Sequence, residues 1–300
     1  MSSVTDLQTS TIFDLHGRIA LVSGGGTGIG LMIAQALAAN GAKVYIGGRR
    51  ESVLQRVADE WTAHGKGSIL PLPLDVSIQD SIIKAKKYIE EKEGKLHILV
   101  NNAGVSGPLT EFLNNPQAPE NTNAETIGSA LFNDDGVDAW SELYKINTFS
   151  IYYTTTAFLG LLDKGSRDVE GYTSSVINIT SISGVLKIAQ RHFAYNSSKA
   201  AATHLTKMLA TELALKNIPV RVNSIAPGVY ESEMTFNTIK GPEEMARVAQ
   251  SLLPVPAGRP GSAGEIAGTV IYLSSPAGCY TNGQEIVVDG SYTAVNPSTV

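Results

Sequence analysis

Tyr195 and Lys199 stand four residues apart in the run Ala194-Tyr195-Asn196-Ser197-Ser198-Lys199-Ala200, a spacing that puts both side chains on one face of a helix. A phenol titrates near pH 10, so using it as a base at neutral pH needs a depression of about 3 units, or roughly 4 kcal/mol. One ammonium about 4 Å away supplies about that much at an effective dielectric of 20. As an acid the phenol needs no help, because it already holds its proton. The pair is chemically sufficient for proton transfer, although a lone Tyr-x-x-x-Lys is more often ordinary helix surface. Its surroundings set this one apart. Ser181 lies fourteen positions upstream, just past an apolar strand, where its hydroxyl can meet a substrate oxygen. Asn147 sits in Lys145-Ile146-Asn147-Thr148, inside a predicted helix, and a buried Asn there must satisfy backbone groups or hold water. Together they read as a proton relay: Ser181 orients, Tyr195 transfers, Lys199 tunes and Asn147 links to water.

A second group could hold an anion. Ser23-Gly24-Gly25-Gly26-Thr27-Gly28-Ile29-Gly30 follows a predicted strand and opens a predicted helix. Gly24 permits a tight turn, Gly28 lets backbone approach a pyrophosphate, and Gly30 lets helix and strand pack closely. The free N–H groups at the helix start attract the anion. Three glycines alone make many plain turns; the strand–turn–helix context favours a dinucleotide. At the end of the second strand, NAD binders place an acid on the ribose hydroxyl. This chain has Gly47-Gly48-Arg49-Arg50, and a guanidinium pairs with a 2′-phosphate. NADP(H) is favoured over NAD(H), against the plainer reading of a solvated arginine pair.

These residues need a frame. Short apolar runs at 18–23, 43–46, 69–74, 96–100, 176–179, 220–225 and 286–288 alternate with helical stretches such as 31–40, 51–64 and 81–93. Such alternation implies βαβ units and a parallel sheet with helices on both faces, and unbroken apolar runs fit strands buried on both sides. No repeat or linker divides the 300 residues, so one domain is expected, with an extension at residues 1–14. Residues 108–138, rich in Asn, Pro and Thr, read as a long inserted loop, and residues 229–261 as a substrate flap.

Bulk composition excludes several partners. A net charge of −5 disfavours nucleic acid and anionic membrane surfaces. No apolar run approaches the roughly 20 residues of a membrane span, and the first residues do not read as a secretory signal. One cysteine, Cys279, allows no intrachain disulfide, and the five histidines lack metal-ligand spacing. A soluble cytoplasmic protein without a metal is expected.

With Asn147, Ser181, Tyr195 and Lys199 in this order, the chain resembles the short-chain dehydrogenase/reductase family over nearly its whole length, in its ketoacyl-reductase-like branch. The family's T-G-x-x-x-G-x-G appears with Ser23 in the threonine place. Its N-N-A-G is Asn101-Asn102-Ala103-Gly104, its adenine-contacting pair is Asp75-Val76, and its P-G turn beside the nicotinamide is Pro227-Gly228, with Ser232 where a Thr often holds the carboxamide. The resemblance implies a Rossmann-type, doubly wound parallel sheet of about seven strands. It implies hydride transfer between nicotinamide and a ketone or alcohol, with Tyr195 as general acid/base. It also implies cofactor contacts from Thr27, Ile29 and Lys199, and homodimers or homotetramers built from long helix pairs. Two departures stand out. The Ser181-to-Tyr195 interval is one residue longer than the commonest spacing, so the chain should bulge around residues 187–192; and Thr27 stands where NADP binders often carry an Arg, leaving the phosphate to Arg49 and Arg50.

Other residues have two readings each. His192 could touch substrate, though a loop histidine is more often solvated. Phe193, Tyr230 and Phe236 could line an apolar pocket or serve packing; Cys279 reads as a small buried hydrophobe. Three functions compete: an NADPH-dependent carbonyl reductase, an NAD-dependent alcohol dehydrogenase working oxidatively, and a cofactor-binding sensor or scaffold, which would need neither Tyr195 nor Lys199. The apolar makeup of residues 229–258 points to a medium or large apolar ketone.

Overall fold

Seven strands form one parallel sheet: β1 (Ile19–Ser23), β2 (Lys43–Gly48), β3 (Ser68–Pro73), β4 (Ile98–Asn101), β5 (Ser174–Ile179), β6 (Val220–Pro227) and β7 (Glu285–Val288). Their order is β3-β2-β1-β4-β5-β6-β7. The computed structural model describes residues 7–61, 66–134, 136–230 and 255–299. β1, β5 and β6 are buried at every residue, as unbroken apolar runs require when helices cover both faces.

On one face lie α1 (Gly28–Ala39) and α2 (Glu51–Trp61), whose Ile33, Leu37, Leu54 and Val57 pack on the sheet. The other face carries α3 (Gln79–Glu93), with Ile82 and Ile89 in the core. Residues 108–138 are not the open loop their composition suggests. Two short 3-10 turns, Glu111–Asn114 and Pro119–Thr122, lead into α4 (Ala124–Asp134), and α5 (Val137–Tyr144) follows. The loop-like residues are caps: Pro119 opens one turn, and the Asn123 carboxamide accepts from the N–H groups of Glu125 and Thr126 at 2.9 and 3.1 Å.

Next come α6 (Ser150–Asp168) and α7 (Phe193–Leu215), which put Phe158, Leu161, Leu162, Leu209 and Leu213 against α3's side of the sheet. The last long helix, α8 (Ala263–Ser274), returns to the first face with Ile266, Val270 and Leu273. Polar bonds tie this second half to the sheet. Asn101 donates to Asn178 at 2.9 Å and to Thr155 of α6 at 3.1 Å, and Asn178 donates to Thr206 of α7 at 2.8 Å. A buried amide left unpaired costs about 1–3 kcal/mol, so this chain of bonds fixes where α6 and α7 stand.

β1 runs on to β2 and β3 on one side, while β4 lies on its other side. The crevice beyond the strand ends at that reversal is where such sheets bind ligands.

Candidate active site

A cleft of about 410 Å³ opens at that reversal. Its floor is the glycine turn. Gly24 and Gly28 have φ of 65° and 53°, values only glycine adopts without cost. At Gly30 a Cβ would lie 2.2 Å from the Gly24 carbonyl and 2.4 Å from the Asn102 amide. Helix, turn and the Asn102 loop therefore meet with no room for a methyl group. Ser23 bolts them together: its hydroxyl accepts from the N–H groups of Asn102 and Ala103 at 3.0 and 3.2 Å, and Asn102 donates back to the Ser23 and Gly24 carbonyls. This is a cradle for a pyrophosphate at a helix N-terminus, and the residues fit a dinucleotide.

Arg49 and Arg50 border the cleft at the end of β2, where no carboxylate stands on the same strand. Asp75 and Val76 line it at the end of β3. Burial alone would raise the Asp75 carboxyl, but hydrogen bonds from Ser77 and the charges of Arg49 and Lys145 outweigh it and hold the pKa below the usual range. Every residue that sequence reasoning gave to the cofactor borders this cleft except Ser232, which lies outside the described residues, as does Phe236.

Ser181, Tyr195 and Lys199 line the opposite wall. Ser181 follows β5 and caps a 3-10 turn, Ile182–Gly184, its Oγ accepting from Ser183 at 3.1 Å. Tyr195 lies in the first turn of α7, near enough to Ser181 for that hydroxyl to act on its phenol. Burial pushes the phenol up, with the Ser181 hydroxyl pulling the other way, so it is protonated at neutral pH. The phenol at rest thus matches the acid role, and the depression that a base would need is absent from this resting state. The Lys199 ammonium, 4% exposed, is turned to the Ile179 carbonyl at 2.9 Å, and stands 5.7 Å from the Tyr195 ring centre. Burial lowers its own pKa to about 8, which leaves it charged at neutral pH.

Asn147 does not face the cleft. It lies in a π-helical turn, Lys145–Phe149, between α5 and α6, a form frequent at functional sites. Both ends of its carboxamide are taken: Oδ1 accepts from the Val105 N–H at 2.9 Å, and Nδ2 donates to the Val105 carbonyl at 2.9 Å and to Ser198 at 3.2 Å. Of the two expected roles, satisfying backbone groups is the one these bonds fill, and the side chain acts as a brace. A Cβ on Gly104 would lie 3.3 Å from Asn147 Oδ1 and 3.6 Å from Lys199 Nζ, so this glycine sits between the two.

Sequence reasoning missed Gly184. A Cβ there would come within 2.8 Å of the Lys199 carbonyl carbon and the Ala200 nitrogen, so only glycine lets the Ser181 turn rest on α7. The signal, a glycine three residues past the serine, is too short to read alone. Of the aromatics, Tyr230 lines the cleft, buried beside Gly261, and Phe193 is exposed.

Residues 24–293 match a family model described as enoyl-(acyl carrier protein) reductase. The chain is 38% identical to the short-chain dehydrogenase/reductase PhomF of Diaporthe leptostromiformis, over 99% of each chain. It is 34% identical to the rhamnolipids biosynthesis 3-oxoacyl-[acyl-carrier-protein] reductase of Pseudomonas aeruginosa, covering 93% of this chain and 98% of that one. Among solved structures, the Pseudomonas aeruginosa RhlG/NADP active-site complex superposes with a TM-score of 0.79 at 32% identity, covering 94% and 98% of the two chains. A glycine cradle, a serine at a strand end and a Tyr–Lys helix face meeting at one sheet reversal carry the same conclusion as these full-length likenesses: the chain belongs to the short-chain dehydrogenase/reductase family, nicotinamide-dependent oxidoreductases of CH–OH and C=O groups.

Proposed function

We propose that this protein is an NADPH-dependent carbonyl reductase. The observation that carries this is the meeting of Ser181, Tyr195 and Lys199 with the glycine cradle in one cleft. When bound, the dihydronicotinamide supplies the hydride that reduces the carbonyl carbon. Tyr195 gives its phenolic proton to the carbonyl oxygen, and Ser181 holds that oxygen in place. The phenolate left behind is stabilised by the positive charge of Lys199, whose ammonium stands 5.7 Å from the ring centre. A phenol that rests protonated favours the reducing direction. Asn147 is a positioning residue, holding Gly104–Val105 against the Lys199 side of the cleft.

The preference for NADPH rests on Arg49 at a strand end that bears no acid, and the NADP complex of the Pseudomonas aeruginosa neighbour is in keeping with it. Nicotinamide absorbance is to be followed with NADPH and NADH offered separately with a ketone panel. NADPH should give kcat/KM about tenfold higher or more, as one charge-assisted bond to the 2′-phosphate warrants; equal or better use of NADH would remove the cofactor assignment.

Phe149, Tyr152 and Tyr153 are exposed along one side of the start of α6. This strip supports self-association into a homodimer or homotetramer. No helix among the described residues is long and apolar enough to cross a membrane, and a cytoplasmic location is in keeping with a single cysteine.

A further inference from the structure

Ser181 leaves the end of a strand, whereas Tyr195 and Lys199 ride on a helix, and proton transfer needs the two at a fixed spacing. Ile179, Thr180 and Ser181 follow one another out of β5, and each is tied to α7 in its own way. The Ile179 carbonyl accepts from Lys199 at 2.9 Å, and the Ser181 turn rests on α7 through Gly184. Thr180, between them, is 3% exposed and lines the cleft. Its tie runs through a third element. Glu285, the first residue of β7 at the edge of the sheet, is half-buried. Its Oε1 accepts from the Thr180 hydroxyl at 3.0 Å and from the Thr203 hydroxyl, one turn beyond Lys199 on α7, at 2.6 Å.

Each hydroxyl holds one proton and has a second acceptor in reach. For Thr180 it is the Ile225 carbonyl at 3.0 Å, and for Thr203 the Lys199 carbonyl at 3.1 Å. A helical threonine can turn back in this way to the carbonyl four residues before it. A bond to a carboxylate is roughly twice as strong as one to a neutral acceptor, so both protons go to Oε1. One oxygen thus draws the strand end and the helix together, and nothing in the mechanism above uses it.

We propose that Glu285 is a positioning residue of the reductase, clamping Thr180 to Thr203 so that Ser181 and Tyr195 reach one substrate oxygen together. The clamp rests on the reductase reading. It acts on kcat and leaves cofactor binding alone, because Glu285 is not among the described residues that border the cleft.

Steady-state kinetics with NADPH and a ketone that the wild-type protein reduces test the clamp. Glu285→Leu removes the acceptor, and kcat should fall about tenfold, as the loss of one charge-assisted hydrogen bond warrants, with the KM for NADPH unchanged. Glu285→Gln keeps an oxygen in place and should stay within about threefold of wild type, a rescue that mere filling of space would not give. Thr203→Val cuts the arm on α7 and should lower kcat by a similar factor. The double variant Glu285→Leu/Thr203→Val should be no slower than Glu285→Leu, since both changes break the same bond. If Glu285→Leu does not fold, Thr203→Val and Glu285→Gln decide alone. A kcat unchanged in Glu285→Leu or in Thr203→Val, losses that multiply in the double variant, a Gln variant no better than Leu, or a loss that falls on the KM for NADPH overturns the clamp. Each leaves the reductase reading standing. Turnover of no ketone by the wild-type protein overturns the reading and the clamp with it.

Discussion

The chemistry at the scale of the residue comes down to how one phenol is kept. Tyr195 is buried enough to stay protonated, beside Ser181, and near an ammonium that is itself anchored on a backbone carbonyl. The arrangement suits an acid at rest and a stabilised phenolate after transfer. Tyr195→Phe removes the proton and keeps the ring, so kcat should fall by roughly 10²–10⁴, the usual contribution of a positioned acid. Cofactor binding, followed by nucleotide fluorescence, should persist. A variant with full activity would sink the assignment of Tyr195.

The element scale is governed by close approach. α7 carries Tyr195 and Lys199, yet its place is set by what it touches: the Ser181 turn through Gly184, the π-turn through Ser198, and β5 through Thr206. Gly184→Ala pushes a methyl into the Lys199 and Ala200 backbone at 2.8 Å, and backbone on both sides cannot step aside. Overpacking of this kind costs about 1–3 kcal/mol. We expect a lower melting temperature together with a loss of kcat, because the shift moves Ser181 relative to Tyr195. Unaltered melting and turnover would show that the turn has slack.

For the whole molecule, one strong pH dependence sits at the end of the sheet opposite the cleft. His97 is fully buried at the N-terminal end of β4, its Nδ1 accepting from the Ile19 N–H at 3.0 Å and its Nε2 meeting Asp168 at 3.2 Å. Burial, with the nearby Arg18 and Lys95 charges, lowers its pKa to about 4 despite Asp168. An unfolded histidine titrates near 6.5. Between those values the unfolded chain binds a proton that the folded chain refuses, so stability falls as pH drops from about 6.5 to 4, by at most about 3 kcal/mol. His97→Asn keeps an acceptor for Ile19 and removes the titration. Its melting temperature should vary less with pH across that window than the wild type's. Parallel curves would mean that other groups, such as His192, carry the acid sensitivity.

The strand runs, the glycine turn and the Ser181–Tyr195–Lys199 spacing could be read from the chain alone, because each is a local pattern that must sit on a strand, a turn or one helix face. The bulge at Gln190–Arg191 was legible as one surplus residue, though its left-handed conformation was not. The helix α4 hid behind Asn and Pro that act as caps, since a cap and a loop use the same residues. What only tertiary structure decided is where polar groups point: Asn147 toward Val105, Lys199 toward Ile179, and His192 toward Tyr195. Local pattern sets which element a residue belongs to; the partner of a buried polar atom comes from segments distant in sequence, and only folding brings them within reach.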